Sequence, residues 1–243
     1  MFPSDVNIFN IVKEHNLWGE HTLAFLHSIK LSNNRAPLFN KDFKKNVKLT
    51  DVQKDILIGT ILGDACLEWG KTYKNARLRF DQTFPNHTSY LMHIFSHFYD
   101  LSGKGPKVSF RKADKRTGKV YSSIHFKTLV FPCFNYYYDL FYKNGKKFIP
   151  DNIIELLNAR VLAYWICDDG GKGSNNETHL YTLSYTYNEI LLLTEALKLN
   201  FKLRTWTYEK YPGQWVIVIP VKQEIPLKTI VLPYIHYTVL HKI

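Results

Sequence analysis

The chain has 243 residues, with 32 Lys and Arg against 21 Asp and Glu and a formal net charge of +11. Such a length suits one large domain or two of about 100 residues, each able to bury a real core, and such a charge favours an anionic polymer or surface as partner. Aromatic residues make up 15%, so flat rings are expected among the basic side chains. Three widely spaced cysteines, Cys66, Cys133 and Cys167, contain no CxxC pair. They argue against a disulfide framework or a zinc knuckle and for a reducing compartment. Asp5, Lys13, Glu14, His15 and Glu20 interrupt the first 30 residues, so nothing there resembles a signal peptide and a soluble, non-secreted protein is expected. No run of about 18 apolar residues exists to span a membrane.

Residues 1–48 read as an extension. Short amphipathic patterns around Asp5–His15 and Glu20–Ile29 precede a basic connector containing Arg35, Lys41, Lys44, Lys45 and Lys48. A solvated linker with small docking helices and an arm that touches phosphate both fit it. From Thr50 the order becomes regular. Thr50-Asp51-Val52-Gln53 fits a capping box and opens an apolar helix that ends near Asp64. Arg77–Asp81 alternates with period two, as a half-buried strand should. His87–Leu101 has helical spacing. Lys107–Arg111 and Lys119–Lys127 alternate again around an Asp114–Gly118 turn. Phe131–Tyr142 returns to helix, with Asn144-Gly145 as its stop.

The second half repeats this order. Asn158 caps a helix that runs to Asp169, a strand lies near His179–Tyr185, and Asn188–Asn200 is helical. Strands Leu203–Lys210 and Gln214–Pro220 flank a Tyr211-Pro212-Gly213 turn, and a helical segment from Val221 to about Val231 closes the copy. Asp64 and Asp169 are 105 positions apart, which marks a duplicated domain rather than a solenoid. The predicted domains are 1–48, 49–150 and 151–243.

Each copy should offer an antiparallel sheet with helices on one face. On the other face the first copy places Arg77, Arg79, Lys107, Ser109, Arg111, Lys119, Tyr121, Ser123, His125 and Lys127, almost wholly cationic. Val108, Phe110, Val120, Ile124 and Phe126 point to the core. In the second copy Arg204, Trp206, Tyr208 and Lys210 share one parity. Two such basic sheets side by side match a DNA groove.

The repeated stretch itself, Ile58–Ala65 and Ala163–Gly170, puts a carboxylate at the C-terminal tip of an apolar helix. The helix dipole places partial negative charge there, so something positive is expected beside it. Gly59 and Gly63, four apart, leave a flat side at a cost of about 1 kcal/mol each. Either that helix packs tightly on its own sheet, or the two motif helices pack together and bring Asp64 and Asp169 close. Two close carboxylates repel unless cations lie between them, and oxygen-rich sites suit Mg²⁺. Lys147 and Lys242 fall at equivalent ends of the two copies; they are ordinary surface lysines, or ammonium groups that stabilise charge or orient water. His93 and His97 have zincin spacing, but Ile94 stands where the needed Glu would be. No Walker loop or GxGxxG is present.

Ile58–Ala65 and Leu162-Ala163-Tyr164-Trp165-Ile166-Cys167-Asp168-Asp169-Gly170-Gly171-Lys172 resemble the paired motifs of LAGLIDADG homing endonucleases, especially the monomeric, omega-type kind encoded in mitochondrial group I introns. The resemblance covers about residues 50–243. Leu62-Gly63 and Cys167-Asp168 depart from the family name, but the final Asp survives in both motifs. The resemblance implies an α+β fold of two αββαββα units related by a pseudo-twofold axis, with the motif helices packed at their interface and the sheets forming a saddle on double-stranded DNA. It implies site-specific, metal-dependent phosphodiester hydrolysis across the minor groove, leaving short 3′ overhangs at a long asymmetric site. Asp64 and Asp169, helped by the carbonyls of Gly63 and Asp168, would hold Mg²⁺; Mn²⁺ would substitute and Ca²⁺ would support binding alone. Lys147 and Lys242 would position water or neutralise charge. The strand residues named above, with Lys172, would contact DNA, and Arg77, Arg79 and Arg111 would reach guanines. A mitochondrial monomer is expected. A maturase acting on its host intron RNA and a non-cleaving DNA-binding regulator are the alternative readings.

Overall fold

The computed structural model describes residues 40–70 and 74–243; the two amphipathic patterns predicted before residue 30, and Arg35, lie outside them. A short helix, α1 (Lys41–Asn46), leads into α2 (Asp51–Leu62), β1 (Cys66–Glu68), β2 (Arg77–Thr83), α3 (Thr88–Phe98), β3 (Lys107–Phe110), β4 (Ser122–Lys127) and α4 (Asn135–Phe141). A β5–β6 hairpin (Tyr142–Lys143, Lys146–Lys147) and α5 (Ile153–Leu156) follow. Then come α6 (Ala159–Asp169), β7 (Gly170–Lys172), β8 (Thr178–Leu180), α7 (Tyr187–Phe201), β9 (Trp206–Tyr211), β10 (Gln214–Ile219) and α8 (Leu227–Val231). The order αββαββα thus occurs twice. The two four-stranded sheets have the same strand order, β1-β2-β4-β3 and β7-β8-β10-β9, and their strands pair antiparallel.

Packing divides the described chain into two compact units, residues 40–47 with 68–132, and residues 48–67 with 133–243. This division follows contact; the boundaries at 49–150 and 151–243 follow the repeated motif. In the smaller unit Leu78, Phe80, Ile124 and Phe126 are buried against Leu91, Ile94, Phe95 and Phe98 of α3, with the Phe95 and Phe126 rings 5.3 Å apart. Strand partners share a face, so the register rows Asp81–His125–Lys107, Arg79–Lys127 and Ser123–Ser109 lie on the side away from that core. Alternation places Phe110 and Val120 inside, yet they are 54% and 58% exposed. The β3–β4 ladder gives way after Phe110–Ser122 to a long turn whose backbone is held by the Asp114 carboxylate, so no helix of the described residues covers them.

In the larger unit α2 and α6 pack against each other. Ile56–Leu62 and Val161–Cys167 are buried without a break, the signature of helices surrounded by protein. Thr50 and Gln53 close the predicted capping box on α2, and the Asn158 side chain accepts the Val161 N–H of α6. Several predicted boundaries shift, including those of β4, which begins at Ser122 rather than Lys119, and α4, which begins at Asn135 rather than Phe131. Strand β8 stops at Leu180, because the chain turns inward to bury Tyr185. Strand β9 begins at Trp206, because the Arg204 backbone is clamped by the Gln223 amide. The helix expected from Val221 begins only at Leu227, after Pro226, which lacks an N–H to join an earlier turn. Asn144-Gly145 is not a helix stop. Its positive φ values, 53° and 74°, make the tight turn of the β5–β6 hairpin.

Candidate active site

The C-terminal ends of α2 and α6 come together because glycine removes the side chain that would separate them. A Cβ on Gly59 would lie 2.6 Å from the Val161 carbonyl oxygen and 2.7 Å from Tyr164 Cβ. A Cβ on Gly63 would overlap the Asp168 side chain. At the opposite end, the Asp55 carboxylate of α2 accepts from Asn158 Nδ2 at 2.8 Å and from Arg160 at 3.0 Å. The helix pair is tied at one end by charge and closed at the other by the absence of side chains.

The positive groups expected at the helix tips are present. Lys147, delivered by the β5–β6 hairpin, donates from Nζ to the carbonyls of Ile61 (2.7 Å), Gly63 (3.0 Å) and Ala65 (3.0 Å). Lys242, at the end of a 3₁₀ turn Tyr237–Lys242, donates to the carbonyls of Cys167 and Asp168, the latter at 3.1 Å. Each ammonium therefore satisfies carbonyls that a helix end leaves without an intrahelical donor. Burial lowers both lysine pKa values, opposed by the site carboxylates. The carbonyls of Gly63 and Asp168, expected to help hold metal, thus already accept from lysine; each oxygen has two lone pairs, so this alone does not remove it from a donor set.

Asp64 is exposed at its helix tip, while Asp169 is half-buried at the other. Burial, reinforced by the charge of Asp64, pushes the Asp169 carboxyl up to about 7. A buried carboxyl raised in this way beside a second carboxylate fits a hard divalent cation, whose charge would restore the ionised form of Asp169. Among the described residues no group of three or more His, Cys, Asp or Glu gathers as a metal cage, so a cation held here would need neighbouring carbonyls beside this pair.

Sequence reasoning missed several supports. Tyr185 Oη donates to the Leu62 carbonyl at 3.0 Å, and Tyr142 Oη accepts the Leu67 N–H at 3.0 Å. Nothing in the pattern signals either; both depend on tertiary packing. The Asp168 side chain, which the motif presents only as the neighbour of Asp169, accepts the Asp64 N–H through Oδ2 at 3.1 Å.

The outer face of the first sheet is not almost wholly cationic. Glu68 binds Arg77 (2.7 Å), Arg79 (3.3 Å) and Lys127 (3.3 Å), and Asp81 binds Arg79 (2.6 Å) and faces His125 at 3.7 Å. Asp81 shares the parity of Arg77 and Arg79, so its sequence position already carried the signal. Lys107 and Ser109 are exposed on β3, Ser123 and Lys127 are half-buried on β4, and Arg111, Lys119 and Tyr121 are exposed beyond the strand ends. In the second sheet Trp206, 51% exposed, lies 5.7 Å from Tyr208, and Tyr208 lies 5.8 Å from His179. Lys210 sits 4.7 Å over Tyr181. Lys172 is exposed on β7. Arg204 lies outside the sheet and donates to the Lys222 carbonyl at 3.1 Å. No helix of the described residues is long and apolar enough to cross a membrane.

The sequence model of the LAGLIDADG DNA endonuclease family matches residues 54–225. Cytochrome b mRNA maturase bI2 of Debaryomyces hansenii is 31% identical over 170 residues, 69% of this chain and 61% of that protein. The chain therefore spans less than two thirds of that relative. Intron-encoded endonuclease ai4 of Dictyostelium discoideum is 35% identical over 127 residues, 51% of this chain and 79% of that protein. The solved structure of the homing endonuclease I-WcaI bound to its DNA recognition sequence is 27% identical with a TM-score of 0.78, covering 88% of this chain and 96% of that one. By motif, fold and similarity, the chain belongs to the LAGLIDADG DNA endonuclease family.

Proposed function

We propose that the chain is a site-specific endonuclease that hydrolyses both strands of a long, asymmetric double-stranded DNA site and leaves short 3′ overhangs. The observation that carries this reading is the pairing of Asp64 and Asp169 at adjoining helix tips, each tip held by its own lysine. A protein that only binds nucleic acid gains nothing from two carboxylates that repel each other.

In this reading Asp64 and Asp169, with the carbonyls of Gly63 and Asp168, hold Mg²⁺; Mn²⁺ substitutes and Ca²⁺ supports binding without cleavage. The chemistry supplied there is stabilisation of the leaving oxygen and acidification of the attacking water. Lys147 and Lys242 keep the helix tips in place and offset charge on the scissile phosphates. Lys107, Lys119, Lys127 and Lys172 contact backbone phosphates. Arg77, Arg79 and Arg111 read guanine edges in the major groove, with Glu68 and Asp81 fixing the first two before DNA arrives. Ser109, Tyr121, Ser123 and His125 complete that face, and Arg204, Trp206, Tyr208 and Lys210 serve the other half-site. The protein works as a monomer, and an organellar, mitochondrial setting suits an intron product. The similarity to a cytochrome b mRNA maturase favours one second reading, assistance to splicing of a host intron RNA.

The test is incubation of a plasmid library of intronless organellar genes with the protein and Mg²⁺, with and without chelator. The expected product is one linear species with short 3′ overhangs, formed only with the cation. Absence of any cut, together with stimulated splicing of the host intron, would replace the first reading by the second.

A further inference from the structure

The two motif ends are built differently, and the difference lies in one side chain. Asp169 is the last residue of α6, so its N–H falls within the helical pattern. Asp64 lies two residues past the end of α2, beyond Gly63, whose φ of −108° and ψ of −123° have left helical geometry. The flanking Ala65 N–H still returns to the Thr60 carbonyl at 2.9 Å and Lys147 holds the Gly63 and Ala65 carbonyls, but the N–H of Asp64 itself lies outside the helical pattern. That N–H instead meets Asp168 Oδ2 of the other motif at 3.1 Å. The contact has no counterpart in the reverse direction. Gly63 occupies the matching place in the first motif, and a Cβ there would overlap Asp168 Cβ and lie 2.9 Å from Asp168 Oδ2. The small residue on one helix makes room for the carboxylate on the other.

We propose that the Asp168 side chain is a positioning residue for Asp64. By accepting the Asp64 N–H it fixes the backbone on which one of the two catalytic carboxylates stands, while Asp169 is fixed by its own helix. The inference rests on the endonuclease reading and deepens it: one catalytic half depends on a side chain contributed by the other motif, and the converse does not hold. Loss of that acceptor should therefore disable the two DNA strands unequally. The hydrogen bond is charge-assisted, but its geometric role needs only an acceptor, which an asparagine amide oxygen also supplies.

The experiment compares Asp168→Ala with Asp168→Asn. In the metal-free protein, amide hydrogen exchange at Asp64 should quicken about tenfold or more in Asp168→Ala and stay slow in Asp168→Asn. On a supercoiled plasmid bearing a site that the wild type has selected, Asp168→Ala should change the ratio of the two strand-cutting rates about tenfold or more, so that nicked circles accumulate. Asp168→Asn should keep the wild-type ratio. Unchanged Asp64 exchange in Asp168→Ala overturns the proposal, as does equal slowing of both strands. A strand ratio in Asp168→Asn as disturbed as in Asp168→Ala also overturns it, because the charge rather than the acceptor would then matter. Should Asp168→Ala fail to fold, Asp168→Asn against wild type decides by the same two readouts. A wild type that cuts nothing contradicts the endonuclease reading, and the exchange measurement still decides this one.

Discussion

Gly59→Ala probes the closeness of the motif helices with the smallest change available. The added Cβ would sit 2.6 Å from the Val161 carbonyl oxygen, 2.7 Å from Tyr164 Cβ and 3.3 Å from the Val161 carbonyl carbon. Ordinary contact begins near 3.4 Å, so α2 and α6 must separate by roughly 0.8 Å at this level, and the obstructing oxygen is backbone that no rotamer change can move. Overpacking of a filled core costs about 1–3 kcal/mol, and the rigid obstruction argues for the upper part of that range. Alanine returns about 1 kcal/mol through helix propensity. The net loss is then about 2 kcal/mol, a fall in Tm of roughly 4–8 °C for a chain of this size. The chemistry should suffer more than the fold, since the carboxylates stand on these helices and a displacement approaching 1 Å can cost about a hundredfold in rate. Calorimetry and plasmid cleavage measure the two effects. A variant that melts at or above the wild-type temperature and cuts at full rate would refute the close packing.

Three further predictions use other parts of the molecule. Replacing Lys107 and Lys119 by alanine should reduce the slope of log affinity against log salt by about 1.8, or 0.9 for each phosphate no longer neutralised, and should weaken unrelated sequences equally; an unchanged slope would mean that these lysines only solvate the sheet. Burial pushes the His236 imidazole down to about 4 from an ordinary 6.5, so the native state keeps it neutral while the unfolded chain takes up a proton. Stability should therefore fall as pH falls from about 6.5 to 4, by up to roughly 3 kcal/mol; urea melts of His236→Gln should lack that part of the slope, and an identical pH profile would contradict the assignment. With both motifs in one chain, ultracentrifugation should find one protein per DNA site, and selection should return a site whose halves differ. A two-to-one complex on a palindrome would refute that account.

Much of the fold was legible because it is written locally. Caps at Thr50 and Asn158, period-two strands and turn glycines need only neighbours in sequence, and the repeated motif set the order of both copies. Boundaries failed where distant residues decide them: Gln223 clamps Arg204 and so shortens β9, and the Tyr185 hydroxyl reaches back to Leu62. Asn144-Gly145 misled because one dipeptide serves both a helix stop and a hairpin turn, and only pairing between Tyr142 and Lys147 distinguishes them. At the site, the helix dipole foretold a cation at each carboxylate tip, and lysines are found there. The one-way contact from Asp168 to Asp64 was hidden, because Gly63 and Asp168 look like a mere departure from the motif until the helices are seen together.

The claim that the paired carboxylates perform the chemistry and do not hold the DNA is tested most directly by Asp64→Asn and Asp169→Asn, each assayed for cleavage with Mg²⁺ and for specific binding with Ca²⁺. Each substitution keeps the side-chain shape and removes the charge that would hold the cation. The account predicts that double-strand cleavage is lost or nearly lost in both variants, while affinity for the selected site stays within about tenfold of wild type. Full cleavage by either variant, or a collapse of binding along with cleavage, would contradict it.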